Sequence, residues 1–188
     1  MTKPEEIAPS AYYSNLQTRR FVVRRGWDNF TADRLVLQSR EDEIAERYPR
    51  DYDKRFSSRE VANRWFEKDE SMAMYTLALG RTADLAGVIW VAHPEEKLLG
   101  AEKAFNMRIY ASARGRELAV DFGQAALIDY ELLHKDYEGD IGVNVNRDYR
   151  NEIQVYGDLG FSVKEKPRVN EFITMLRPGF RTRVSNIK

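Results

Sequence analysis

The stretch with the clearest capacity for chemistry is FNMRIYASARGRELAVDFGQAAL, which spans Phe105–Leu127. Apolar and polar residues alternate in its first part, which predicts a strand, whereas apolar residues recur at helical spacing after Glu117. The turn between the two parts holds Arg114 and Arg116 on either side of a glycine. The first N–H groups of a helix lack intrahelical partners, and the helix dipole places partial positive charge there. Two arginines beside such amides predict an anion site whose natural ligand is a phosphate or pyrophosphate.

This stretch and a second one downstream resemble the GNAT superfamily of N-acetyltransferases. In ARGRELA, Arg114 takes the first position and Ala119 the last of the family's pyrophosphate-binding pattern, roughly Q/R-x-x-G-x-G/A. VNVNRDYRNEIQVYGDLGF, at Val143–Phe161, resembles the pattern V-N-x-x-N…A-x-x-L-Y-x-x-L-G-F. The residues that match it in register are Val145, Asn146, Ile153, Tyr156, Leu159, Gly160 and Phe161. The resemblance covers about Phe21–Pro178 in element order and Phe105–Phe161 in motif.

The resemblance implies an acyltransferase that moves an acetyl group from the cosubstrate acetyl-CoA to a primary amine. Asn146 would offer its amide to the pantetheine arm. Tyr156 would act as the catalytic acid for the departing thiolate, because a phenol and the CoA thiol have comparable basicity. Backbone groups of the strand Met107–Ala111 would bind the pantetheine arm and polarise the thioester carbonyl, at Met107, Ile109 and Ala111. The loop would hold the pyrophosphate through Arg114, Gly115, Arg116, Glu117, Leu118 and Ala119.

Two departures from the family pattern favour an alternative function, a catalytically impaired GNAT-like module for CoA binding or interaction. Glu117 stands at a glycine position and brings bulk and negative charge to an anion site, and Tyr149 replaces the second asparagine. Glu117 is equally typical of an acidic residue that compensates a helix dipole. The other site residues also have structural alternatives: Tyr156 as a core residue, Asn146 as a turn former, and the two arginines as solvated charges.

The sequence leaves the general base and the acceptor open. Transfer to an amine requires that the amine lose a proton to a basic group. Glu102 is the nearest carboxylate before the strand but lies in a charged connection, and His93 ends an apolar strand, where a structural role is the stronger expectation. Aromatic residues could line an acceptor slot, although helical spacing makes two of them core residues first: Phe30, Tyr48, Trp65, Phe66 and Phe172.

The composition excludes several other classes of protein and site. Thirty basic and thirty acidic residues cancel, so no net field attracts nucleic acid or an anionic membrane. The absence of cysteine rules out disulfides and thiolate nucleophiles, and two distant histidines, His93 and His134, do not predict a zinc site. No segment has the hydrophobicity of a membrane span or of a signal peptide. We therefore expect a cytoplasmic protein without a metal, and a homodimer stays an open alternative.

The order of the predicted elements indicates an α/β fold. The chain divides into an N-terminal tail (1–20), a single GNAT-like domain (21–178) and a basic C-terminal tail (179–188). A helix within Thr31–Tyr48, with Thr31 as its predicted N-cap, breaks near Ser39, and a second helix follows the capping box Ser57–Glu60. A third ends near His134, and a fourth, Tyr149–Leu159, has Asp148 as its predicted cap. The predicted strands are Arg20–Arg25, Ser71–Leu79, Leu85–Ala92, Phe105–Tyr110, Ile141–Val145, Phe161–Val163 and Val169–Leu176. This order is typical of a mixed, mostly antiparallel central sheet with a splayed parallel strand pair and flanking helices.

Overall fold

A computed structural model describes residues 5–6, 21–79, 84–95, 100–165 and 172–179. The strands in these ranges are β1 Glu5–Glu6, β2 Phe21–Arg25, β3 Ala73–Leu79, β4 Asp84–Ala92, β5 Lys103–Ile109, β6 Ile141–Asn146, β7 Ser162–Glu165 and β8 Phe172–Arg177. The α-helices are α1 Asn29–Gln38, α2 Asp42–Arg47, α3 Arg59–Glu67, α4 Arg116–Leu133 and α5 Arg150–Asp158. A π-helical turn at Asp51–Arg55 and a 3₁₀ turn at Ala111–Ala113 complete the elements. The strands form one sheet in the order β1-β2-β3-β4-β5-β6-β8-β7.

The sheet parts between β5 and β6. These strands are parallel, and their register joins only Lys103 to Ile141 and Ala104 to Gly142 in the described part of the chain. By contrast, β4 stays paired with β5 up to Ile109, and β6 stays paired with β8 up to Asn146, both in antiparallel register. The two parallel strands therefore open towards their carboxyl ends, which confirms the predicted mixed sheet with a splayed strand pair.

Helices cover both faces of the sheet, so its central strands are buried on both sides. The alternation of β5 sends Phe105 and Met107 into a core with α4 and α5, where they meet Phe122 and Tyr156. The opposite face of the sheet packs against α1 and α3 around Trp90. The loop that follows β5 thus leads into α4 beside the opening of the sheet, which is the arrangement that the strand–turn–helix motif predicted.

The structure contains the helices that the sequence predicted, but some of the residues that cap them differ. The predicted break near Ser39 is confirmed, since α1 ends at Gln38 and α2 starts at Asp42. The N-cap of α1 is Asp28, whose Oδ1 accepts the Thr31 N–H at 2.8 Å, so the assignment of the cap to Thr31 was wrong.

Two further caps lie one residue from their predicted positions. Ser58 caps α3 by accepting the Val61 N–H at 3.3 Å, instead of Ser57. Tyr149 precedes α5 as its N-cap, in place of Asp148. The end of α5 follows the prediction, because Gly160 adopts a φ of 86° that favours glycine.

The two predicted tails lie mostly outside the described residues. Glu5–Glu6 pairs with β2 at the edge of the sheet, and positions 1–4, 7–20 and 180–188 are not described. The start of the last predicted strand, at Val169, also falls outside the described ranges. Of the helices that are described, none combines the length and the apolar composition needed to cross a bilayer.

Candidate functional site

A cleft of about 700 Å³ opens where β5 and β6 part. Its walls come from α2, the carboxyl half of β5, the start of α4 and the first two turns of α5. Of the predicted site residues, seven line it: Met107, Ile109, Arg114, Gly115, Arg116, Ala119 and Tyr156. The fold therefore brings the predicted anion loop and the predicted acid to one cavity.

The other four predicted residues lie beside the cleft. Leu118 is turned into the core and is 2% exposed, whereas the Glu117 side chain is exposed. Ala111 starts the 3₁₀ turn, and its N–H donates to Glu41 Oε2 at 3.2 Å. Asn146 Oδ1 accepts the Asp148 N–H at 2.9 Å, so its side chain closes the turn after β6.

The anion end of the cleft is the N-terminus of α4. The helix starts after Gly115, which as a glycine offers no side chain to cap it. Arg114 Nη1 lies 2.6 Å from Glu43 Oε2 of α2, and Arg116 Nη2 donates to Asp158 Oδ2 of α5 at 2.7 Å. These guanidinium groups are about half exposed, and exposed pairs contribute only about 0–1 kcal/mol. The loop thus holds two cations whose carboxylate partners an incoming diphosphate can replace at low cost.

Tyr156 of α5 also lines the cleft. The residue is 4% exposed, and its ring packs edge-on against Phe105 and Phe161 at centroid distances of 6.2 and 5.8 Å. Burial raises the pKa of the Tyr156 phenol well above its usual value, so the hydroxyl stays protonated at neutral pH. The ring therefore packs in the core while the residue also lines the cleft. Its position is compatible both with a core residue and with the predicted acid.

The wall of the cleft also contains a polar cluster that the sequence did not predict. Glu152 Oε1 accepts hydrogen bonds from the Tyr48 hydroxyl at 3.2 Å and from Arg47 Nη1 at 3.0 Å. Burial raises the pKa of the Glu152 carboxyl despite these donors, and it raises the pKa of Tyr48 to about 12. Glu152 precedes Tyr156 by four residues, the spacing of neighbours on one helix face, which is the signal that could have identified it.

A buried ion pair between Arg108 and Asp51 packs against this cluster. The Arg108 guanidinium carbon lies 3.4 Å from the centre of the Tyr48 ring and 4.8 Å from the centre of the Trp90 ring. Arg108 Nε donates to Asp51 Oδ2 at 2.6 Å, and the two residues are 6% and 1% exposed. The pair fixes the π-helical turn and the end of α2 against β5, and thereby the Tyr48 ring at the mouth of the cleft.

The two base candidates from the sequence lie at the joined end of β5 and β6. The Glu102 N–H donates to the Asp140 carbonyl at 3.2 Å, directly before β5. The His93 N–H donates to Asp69 Oδ2 at 2.9 Å in a cluster that also contains Lys103. Neither residue is among the described residues that line the cleft. Both side chains are exposed, and His93 lines the second cavity described below.

A second cavity of about 450 Å³ lies on the face of the sheet that carries α3. Trp65 lines it beside Arg55 and Glu95, which bind each other through two hydrogen bonds of 3.0 and 2.6 Å. The other aromatic residues considered for an acceptor slot are distributed differently. Tyr48 lines the large cleft, Phe66 is buried in the core, and Phe30 and Phe172 are about half exposed.

Comparisons with known proteins identify the fold. No protein-family model matches the chain, and no curated protein matches it. Ribosomal-protein-S5-alanine acetyltransferase from Vibrio fischeri superposes with a TM-score of 0.62 at 11% identity, over 86% of this chain and 94% of that one. An uncharacterised protein from Bacillus halodurans gives 0.68 at 13% identity, over 97% and 95%.

A third solved structure is spermidine N-acetyltransferase from Vibrio cholerae in complex with CoA and spermine. Its TM-score is 0.61 at 14% identity, and the match covers 84% of this chain and 93% of that one. At such identities the likeness establishes the fold alone. The chain has the GNAT N-acetyltransferase fold that its motifs predicted.

Proposed function

We propose that this protein transfers an acetyl group from acetyl-CoA to a primary amine. The observation that carries the proposal is the cleft between β5 and β6, because it joins a cationic helix N-terminus to a buried phenol. A group carrier with a diphosphate at one end and a thioester at the other matches that combination. The spermidine N-acetyltransferase of the same fold was solved with CoA and spermine, which supports a CoA-type ligand and an amine acceptor.

The residues of the cleft fit the parts of the cosubstrate. Glu43 and Asp158 already supply carboxylates to Arg114 and Arg116, so the position accepts anions, and the α4 amides beside it would share a pyrophosphate. The exposed edge of β5 from Met107 would bind the pantetheine arm where β6 no longer pairs with it. Asn146 and Ala111 lie beside this edge and would contact the same arm through their amide groups.

Tyr156 would give its proton to the departing thiolate. Its raised pKa keeps the proton donor in place across neutral pH, although it also makes the phenol a weaker acid. The acetyl group supplied by acetyl-CoA is activated as a thioester, so the protein's tasks are to orient it, to remove a proton from the amine and to protonate the sulfur. We place all three tasks in the one cleft.

A CoA-binding module without transfer activity is the second candidate function. The observation that favours it is that Glu117 and Tyr149 stand where the family pattern has a glycine and an asparagine. Such a module would bind CoA and release no thiol from acetyl-CoA. We further propose a single domain over 21–178 and a cytoplasmic location, both carried over from the sequence.

Calorimetric titration with CoA and with pantetheine tests the proposed function. We expect CoA to bind, and Arg114→Ala to weaken it by about 10- to 100-fold, because one charge-assisted contact is worth about 1.5–3 kcal/mol. Pantetheine lacks the diphosphate, so its affinity should not respond to this substitution. Arg59→Ala is the matched control, since Arg59 is a half-exposed arginine on α3 that pairs with Asp33 outside the cleft. Absence of any heat with CoA at millimolar concentration would refute the proposal.

A further inference from the structure

Acetyl transfer to an amine requires a group that removes a proton from the amine. The carboxylate and the imidazole considered from the sequence, Glu102 and His93, lie at the joined end of β5 and β6. The proposed acid, Tyr156, lies at the parted end. A base that serves the same acetyl group must face the same cleft as the acid, so the base has to be sought among the carboxylates of the cleft wall.

We infer that Glu152 is the general base of this reaction, an inference that rests on the proposed acetyl transfer. Five carboxylate residues other than Glu152 line or border the cleft: Glu41, Glu43, Asp158, Glu117 and Asp148. The first three pair with the loop arginines, and Glu117 stands exposed in the first turn of α4. Asp148 stands in the turn before α5, outside the helix. Glu152 alone of these shares a helix face with Tyr156.

The geometry of Glu152 suits a group that takes up a proton from the cleft. The side chain is 24% exposed, so it is mostly withdrawn from bulk solvent and still accessible. Both of its hydrogen bonds, from Tyr48 and from Arg47, end on Oε1, and Oε2 accepts none from the described residues. The donors therefore hold the carboxylate in one orientation and leave one oxygen for the amine.

The groups around Glu152 set its proton affinity in opposite directions. Burial raises the pKa of the carboxyl, and the guanidinium groups of Arg47 and Arg108 together with the Tyr48 hydroxyl lower it. Tyr156 lines the same cleft one turn further along α5. Its hydroxyl stays neutral because burial raises its pKa. A carboxyl with a raised pKa is a stronger base than an ordinary glutamate, which brings it closer to the operating pH.

The step balances within the cleft and the solvent. Glu152 Oε2 takes a proton from the amine as the nitrogen forms its bond to the thioester carbonyl carbon. The carbon–sulfur bond then breaks, and the Tyr156 hydroxyl gives its proton to the sulfur. Glu152 returns its proton to water and the phenolate regains one, and the ammonium form of the amine has released its extra proton to water before the attack. The net products are therefore the amide, the thiol of CoA and one proton.

Release of thiol from acetyl-CoA tests this assignment, with water and with spermine as separate acceptors. Glu152→Gln keeps an oxygen for the hydrogen bonds from Tyr48 and Arg47 but cannot take up a proton. We expect kcat to fall by about 100-fold or more, and the affinity for acetyl-CoA in calorimetry to stay within about two-fold. The acid limb of the pH–rate profile should disappear. Added formate should restore part of the rate to Glu152→Ala.

Two further variants separate a base from a structural residue. Tyr48→Phe removes a hydrogen-bond donor that lowers the pKa of the Glu152 carboxyl, so the acid limb should move to higher pH. Glu46→Gln makes the same change of charge at an exposed position of α2 outside the cleft, and it should leave the rate and the profile unchanged.

The outcomes separate the inference from the proposed function. A Glu152→Gln enzyme with wild-type kcat, or one whose loss of rate leaves the acid limb in place and resists formate, would overturn the inference alone. A wild-type protein that binds acetyl-CoA and releases no thiol to either acceptor would refute the proposed transfer in favour of the CoA-binding module, and the inference would fall with it. Failure to bind acetyl-CoA at all refutes the proposed function, and the inference falls with it.

Discussion

Asp51→Asn is expected to destabilise the protein strongly, because it leaves buried positive charge without its partner. Asp51 is 1% exposed, and its two carboxylate oxygens accept hydrogen bonds from Arg55 and Arg108. Arg55 keeps Glu95 as a second partner. Arg108 keeps only the Met107 carbonyl, at 3.0 Å, and its stacking on aromatic rings, so the loss of the counter-charge falls mainly on Arg108.

The magnitude follows from the burial of the pair. Breaking a buried ion pair by removing one partner costs about 3–5 kcal/mol. Domains have a total free energy of unfolding of about 5–15 kcal/mol, so this is a large fraction of it. With a urea slope of about 2 kcal/mol per molar, the unfolding midpoint should fall by about 1.5–2.5 M.

Urea unfolding followed by tryptophan fluorescence measures this effect directly, since Trp90 packs against the Arg108 guanidinium. Asp53→Asn is the control, an exposed aspartate in the same π-helical turn, and it should change the midpoint little. A loss below about 1 kcal/mol for Asp51→Asn, or one equal to the control, would refute the reasoning. Combining Asp51→Asn with Arg108→Met should recover part of the lost stability, because no buried guanidinium is then left at that position.

Three further predictions concern the cleft and the edge of the sheet. Tyr156→Phe should lower kcat for thiol release by roughly 10- to 1,000-fold and leave CoA affinity in calorimetry unchanged, whereas an unchanged kcat would assign the residue to the core alone. Glu43→Gln should tighten CoA binding at low salt by about two- to five-fold, since Arg114 no longer has to leave a carboxylate, and equal affinities would contradict this. Although burial alone would raise it, hydrogen bonds from neighbouring O–H and N–H groups lower the pKa of Asp69 to about 2. Asp69→Asn should therefore be less stable at pH 7 and lose less stability than the wild type as pH falls from about 4 to 2 in urea titrations.

The elements of the fold were accessible from the sequence because local patterns determine them. The change from period-2 to helical spacing after Phe105 predicted β5 and α4, and Gly160 predicted the end of α5. The caps were less secure, because Asp28 and Thr31 are both good capping residues three positions apart, and only the surrounding structure selects one. The parted strands followed from the family resemblance and not from any residue of β6.

Apart from the four-residue spacing of Glu152 and Tyr156, the polar cluster in the cleft could not be predicted, because its members come from distant parts of the chain. Tyr48 and Glu152 are separated by 104 residues, and Arg108 and Asp51 by 57. No local spacing marks such pairs. The same reason applies to the anion loop, where a carboxylate was expected to compete from Glu117, and the structure shows one on Arg114 that comes from Glu43 of α2.

The central proposal is that acetyl-CoA binds between β5 and β6. A crystal structure of the protein with CoA tests it most directly. We predict the pyrophosphate at the N-terminus of α4 against Arg114 and Arg116, with Glu43 and Asp158 displaced from the two guanidinium groups. The pantetheine arm should run along β5 past Met107, with its sulfur facing Tyr156 and Glu152. Density for CoA at another surface, with the ion pairs of the loop intact and the cleft empty, would contradict the account.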